Sequence, residues 1–252
     1  MVRRDTHISP VYSGAVPCHQ TSCAIRRVYC SHCQLIQEYA DDTQLHVAIS
    51  KDNNFLALNQ IEHGLVVLHT WFCHNSLALN PDKSDAIIFG TAQRTRSLPN
   101  LSTVNVAGAI VSISDHIKLL GLILASGLTF NTHISALSKS CFFHNRALRQ
   151  IRPSLTTDSA KSIARSLIGG RLEYANASLV SISDKNTKRL QRIQNTLTRV
   201  VTRQCGRISI SKTLKELHWL PVKCRIDFKV ATTTYKLLES NEPAYLRSRI
   251  SV

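Results

Sequence analysis

The sequence predicts an α+β fold: a mainly antiparallel sheet in the first half, then an all-helical, basic second half. Three observations predict it. Short apolar runs bounded by turn residues fill much of residues 35–124, which is a strand pattern. From residue 131 onward apolar residues recur at helical spacing. Charge is also uneven. Residues 1–140 carry 10 Lys+Arg and 9 Asp+Glu, a net of +1, and residues 141–252 carry 21 and 7, a net of +14. A basic segment joined to a near-neutral one suits a polyanion held against a reaction centre.

The bulk numbers exclude several classes. A chain of 252 residues can hold one or two domains and bury a real core. Hydrophobic content of 43% with 19% charged residues argues against disorder. No apolar run reaches the roughly 18 residues that cross a bilayer. Met1–Pro10 has two arginines and no apolar stretch behind them, so a secretory signal is not expected. Eight cysteines without such a signal suggest reduced thiols inside a cell, in nucleus or cytoplasm.

Residues 1–36 show no steady period and are expected to be poorly ordered. Cys30-Ser31-His32-Cys33 has zinc-ligand spacing, with Cys18, His19 and Cys23 nearby. The gap between the halves is short for a zinc loop with its own core, and free thiols are the expectation. Next come two apolar runs, Leu35-Ile36 and Leu45–Ile49, with Asp41 and Asp42 between them. This reads as a β-hairpin with adjacent carboxylates at its tip. Two negative charges in one turn cost free energy unless a cation neutralises them. Hard divalent ions prefer such oxygens, although a polar turn is the better explanation of the dipeptide alone.

Residues 53–77 read as a helix with Leu58, Ile61, Leu65, Leu68 and Phe72 on one stripe, capped by Asn53 or Asn54. Pro81 makes Leu79–Lys83 a turn. Ala86–Phe89 reads as a short buried strand, Gly90–Asn100 as a polar loop, and strands follow at 103–106, 109–114 and 117–124. Helices are expected at about 131–150, 157–169, 172–181, 185–204, 211–218 and 222–239, the second capped at Thr157-Asp158. Helix 185–204 buries Leu190, Ile193, Leu197 and Val200, and carries six cations and no acid: Lys185, Lys188, Arg189, Arg192, Arg199 and Arg203. Such a face suits a phosphate backbone or an anionic membrane.

Several segments, in order, resemble one family. Tyr39-Ala40-Asp41-Asp42-Thr43-Gln44-Leu45 resembles the catalytic hairpin of LINE-type reverse transcriptases, those of non-LTR retrotransposons. Trp71–Ser84, with its W, N-x-L-x-L-N and K, is similar to the segment after that hairpin. Leu120–Leu124 with Leu128–Ile134 resembles the primer-grip region. Ile151-Arg152-Pro153, Arg171–Asn176 and Leu190–Asn195 resemble the family's I-R, R-L-D-Y-x-N and L-Q-x-x-Q-N segments. Leu217–Val222 with Arg225-Ile226 and Phe228-Lys229 resembles its L-H-W-L-P-V-x-x-R-I-x-F-K block, and Pro243–Leu246 fits the tail.

The resemblance spans about residues 37–247. It implies a partial polymerase palm over 37–130 and a basic thumb and C-terminal region over 131–252. The implied activity is RNA-directed DNA polymerisation, a two-metal nucleotidyl transfer with Mg²⁺ as cofactor and an RNA template and DNA primer, not a membrane, as partners. Asp41 and Asp42 are the implied metal ligands and Tyr39 lies near the primer end. Lys83 faces the incoming triphosphate, where an ammonium neutralises charge or protonates the leaving pyrophosphate. Leu120 and Gly121 form a strand turn that approaches the primer, and Arg189, Arg192, Arg199 and Arg203 contact the nucleic-acid backbone. Trp219 stacks on a base or, more in keeping with its Leu and Pro neighbours, docks in the core.

The sequence departs from the family upstream. The F-x-D…A-F-D motif that supplies a further metal-binding Asp, the fingers, the P-Q-G-S-x-L-G-P segment and the endonuclease have no counterpart in residues 1–36, where the one acid that precedes the hairpin strands is Asp5. The expectation is therefore a truncated reverse transcriptase, inactive alone, or a non-catalytic nucleic-acid-binding module.

Overall fold

A computed structural model describes residues 6–8, 11–13, 35–39, 42–50, 54–96, 102–106, 108–204 and 209–250. It is an α+β structure that divides into two compact units, Met1–Thr129 and Phe130–Val252. The Cys18–Cys33 thiols lie outside the described residues.

The first unit centres on β4 (Asp42–Ile49). Leu45, Val47 and Ile49 alternate with half-buried His46 and Ala48, the period of a strand with one buried face. The preceding strand β3 (Leu35–Tyr39) pairs antiparallel along one edge. Along the other run β1 (Thr6–Ile8) and β2 (Val11–Ser13), in one shared register, with Ile8 opposite Val47 and Val11 opposite Gln44. These six residues fall in the stretch expected to stand outside the fold, and its irregular hydrophobic pattern gave no sign of them. The short β5 (Ile88–Phe89) extends the sheet beyond β1.

Against β4 packs α1 (Asn54–His74). Ala57, Ile61, Leu65, Leu68 and Phe72 are buried at spacings of three and four, whereas Leu58 is only half-buried. Each fully buried large side chain of this stripe contributes about 1.5–3 kcal/mol. Asn54 is the first helical residue rather than a cap, and Asn53 lies outside the described residues. The helix ends where Ser76 turns left-handed at φ 58° and Leu77 N–H donates back to Phe72 O at 2.8 Å. The expected polar loop contains a short helix, α2 (Ala92–Arg96).

Two hairpins complete the unit: β6 (Thr103–Val106) with β7 (Ala109–Ser112), and β8 (His116–Leu119) with β9 (Leu122–Ala125). Residues 117–124 were expected as one strand. The chain reverses instead, because Leu120 (φ 44°) and Gly121 (φ 82°) are both left-handed. That is the geometry of a two-residue turn matching the strand twist.

The second unit is helical: α3 (Asn131–Ile151), α4 (Thr157–Ala164), α5 (Gly170–Glu173), α6 (Asp184–Thr202), α7 (Ile210–Glu216), α8 (Val222–Ser240) and α9 (Ala244–Arg247). Ile134, Cys141 and Leu148 of α3 meet Leu190, Ile193, Leu197 and Val201 of α6 in one core that also holds Ala160, Ala164 and Trp219. Val201 takes the place expected for Val200, which is half-buried. The cap of α4 is Thr156, one residue earlier than expected, and its hydroxyl accepts from Ser159 N–H. The helix expected over 172–181 is broken, since Tyr174 is extended and Ala175 left-handed at φ 47°.

Two sequence blocks interlock here. Gln194 Nε2 donates to Leu220 O at 2.8 Å, and Gln191 Oε1 accepts from Val222 N–H at 2.9 Å. The α6 glutamines therefore clamp the turn between α7 and α8 and satisfy an N–H that opens α8. In that turn His218 is left-handed at φ 54°, and Trp219 N–H donates to Leu214 O, which buries the indole against the helix it has just left. Trp219 is 6% exposed, so it is a docking residue rather than a stacking platform.

Burial shapes two titrations. It pushes the Cys141 thiol up to about 11, against a smaller opposing pull from Arg171, so this thiol stays protonated at neutral pH. It lowers the pKa of His133 below the ordinary value of 6.5. The unfolded chain then binds the proton more readily, so His133's contribution is fully present above about pH 6.5 and is lost as pH falls towards its folded pKa. Urea midpoints are expected to drop between pH 7.5 and 5.5, and to drop less in His133→Phe.

Candidate nucleic-acid interface

The hairpin dyad divides at the strand end. Tyr39 pairs with Asp42 across β3 and β4, so Ala40 and Asp41 alone connect the strands. Asp41 lies outside the described residues, and only the backbones of Tyr39 and Asp42 are described. Lys83 closes the one-turn helix Pro81–Lys83, where Asn80 Oδ1 accepts from Asp82 N–H, and it is exposed. That turn packs against β2, and β2 pairs Ser13 with Asp42. One strand thus separates the Lys83 turn from the Asp42 end of β4. Leu120 and Gly121 are exposed at the β8–β9 turn. Among the described residues no cluster of His, Cys, Asp and Glu suited to a metal ion forms, and the Mg²⁺ ligation implied for Asp41 and Asp42 falls on side chains outside them.

The second unit carries the larger electrostatic feature. A groove of about 670 Å³ runs between α3 and α6. On α3, Phe142, Arg146 and Arg149 follow one another at spacings of four and three, which is one helical face, and Pro153 lies in the 3-10 turn Arg152–Ser154 that follows the helix. On α6 and its end, Thr196, Arg199 and Arg203 form the facing wall. Arg152 completes a set of five arginines, and no Asp or Glu lines the groove among the described residues.

The five divide by role. Arg152 is 5% exposed and enters no ion pair among the described residues. Its Nε and Nη2 donate to Val201 O at 2.9 and 2.7 Å, and its Nη1 to Leu155 O at 2.7 Å. Val201 lies in the last turn of α6, so the guanidinium sits on the negative end of that helix. Burial first, and the charge of Arg203 second, hold its pKa below the ordinary arginine value. Arg203 returns the contact, its Nη2 donating to Arg152 O and Pro153 O at 2.7 and 2.8 Å. These two arginines build the end of the groove. Arg146, Arg149 and Arg199 are exposed and enter no ion pair among the described residues.

Of the four arginines expected on nucleic acid, Arg199 and Arg203 line the groove. Arg192 is exposed on the same α6 stripe just beyond it, while Arg189 is half-buried and reaches Ser135 Oγ at 3.5 Å. Arg146 and Arg149 were missed. Their spacing after Phe142 was visible in the sequence, but only packing against α6 gives the stripe a facing wall. Asn145, 3% exposed, also lines the groove; it donates to Ile193 O, and its buried Oδ1 receives no donor among the described residues. Three exposed guanidiniums without an ion-pair partner among the described residues can bind phosphates.

Comparison with protein-family profiles, curated proteins and solved structures finds no match.

Proposed function

We propose that the chain is a fragment of a LINE-type reverse transcriptase whose helical unit holds a nucleic-acid backbone and which does not polymerise by itself. The observation that carries the reading is the α3–α6 groove, with Arg146, Arg149 and Arg199 unpaired and no acid among its described lining. Concentrated like charge without internal neutralisation disfavours the empty state and favours a polyanion. The family resemblance is supported by the way its blocks serve one another: the L-Q-x-x-Q-N glutamines grip the L-H-W-L-P-V turn, and the I-R arginine closes α6. In this reading Asp41 and Asp42 are what is left of the metal site, and Tyr39, Lys83, Leu120 and Gly121 of its surroundings.

The deciding experiment is Mg²⁺-dependent primer extension on an RNA template, run beside salt-dependent RNA binding, with Asp41→Asn/Asp42→Asn as control. The expected result is binding that weakens steeply with salt, equal in both proteins, and no extension. Extension that disappears in the control would overturn the inactive reading and mean that a complementary carboxylate is supplied. Salt-insensitive binding would overturn the groove.

A further inference from the structure

The helical unit has a second concavity, built from other residues. It encloses about 510 Å³ between the five-residue π turn Arg165–Gly169, α6 and α8. That volume suits small-molecule sites, which run roughly 300–1,000 Å³. Single π turns within helices gather at functional sites.

Asn176 lines this cavity and is 4% exposed, yet its Oδ1 accepts no hydrogen bond among the described residues. An orphaned buried acceptor costs about 1–3 kcal/mol. The residue before it, Ala175, is left-handed at φ 47°, a conformation that alanine rarely adopts. A strained turn, a π turn and an unsatisfied amide thus meet at one cavity, whereas an apolar side chain at position 176 would relieve the third. Phe228 lines the same space and is 64% exposed, which leaves its ring available for stacking. Arg225 is committed to Glu173 and to Leu220 O. Arg165 and Lys229 are exposed at the cavity and enter no ion pair among the described residues.

We infer that this cavity is a slot for an unpaired nucleobase, adenine by preference, with the Asn176 amide on the base edge and Arg165 and Lys229 on its phosphate. A carboxamide offers a donor beside an acceptor, and rotation of its terminal torsion exchanges the two. Adenine presents the complementary pair at N6 and N7, which an amide takes bidentately. The inference rests on the nucleic-acid reading for its choice of ligand but uses none of the groove arginines.

The test is titration of the full chain in a Trp71→Phe background with AMP, UMP and adenosine, followed by Trp219 fluorescence. AMP is expected to give a saturable change about tenfold tighter than UMP. Asn176→Leu is expected to weaken AMP by at least that factor while the unfolding midpoint stays or rises. Lys229→Gln, on an exposed position, is expected to weaken AMP and leave adenosine unchanged. Absence of a saturable AMP signal, or AMP binding that survives both substitutions, overturns the slot. RNA binding kept with AMP binding absent overturns the slot alone; AMP binding kept with salt-dependent RNA binding absent overturns the groove alone.

Discussion

Arg152→Met is expected to lower the stability of the helical unit by about 3 kcal/mol, since charged hydrogen bonds run to about 1.5–3 kcal/mol each and orphaned buried carbonyls add to the loss. Methionine replaces most of the apolar stem, so the cost isolates the guanidinium. Four donations disappear at once: two to Val201 O, one to Leu155 O and a longer one to Thr157 Oγ1. Val201 is fully buried, so its carbonyl cannot turn to water for compensation. Arg203 keeps its acceptors, because Arg152 O and Pro153 O belong to the main chain. Arg152→Lys keeps the charge at the end of α6 but not the fork, and should recover only part of the loss. Urea unfolding followed by Trp219 fluorescence in a Trp71→Phe background reads this directly. A change below about 0.5 kcal/mol, the usual range of surface substitutions, would overturn the capping role.

Removing the three unpaired groove arginines should do the reverse to stability and abolish much of the binding. In Arg146→Gln/Arg149→Gln/Arg199→Gln three phosphate contacts are lost. Each contributes about 0.7 to the slope of log K against log salt for a single strand, so the slope should flatten by about 2 and the affinity at 0.1 M fall about 100-fold. The free protein should melt no lower than the parent, because no acid lining the groove loses a partner and like-charge repulsion is relieved. RNA should raise the melting temperature of the parent and not of the triple variant. Fluorescence anisotropy across a salt series and thermal melts with and without RNA measure both. An unchanged slope would place the contacts elsewhere, with Arg192 the first candidate on the neighbouring stripe of α6.

These outcomes concern residues of one chemical type, and that type is what the sequence supplied. Apolar spacing located α3, α6 and α8 to within a residue or two and α1 to within three, because helix periodicity is a local property. Charge counting placed the excess cations in the second half for the same reason. Local reading failed where the chain changes direction. Leu120, Ala175 and His218 are left-handed non-glycine residues, held there by pairing and burial that no short window contains. Local reading also failed to sort the arginines. Arg152 and Arg199 belong to similar basic helical segments, yet one is buried against carbonyls and the other exposed. Only the packing of α3 on α6 made one a structural cap and joined the other to Arg146 and Arg149. The composition determined that this protein carries a strongly cationic helical half; the tertiary structure decided which cations hold the fold and which are left for a ligand, because burial and partnership depend on residues some fifty positions apart in the chain.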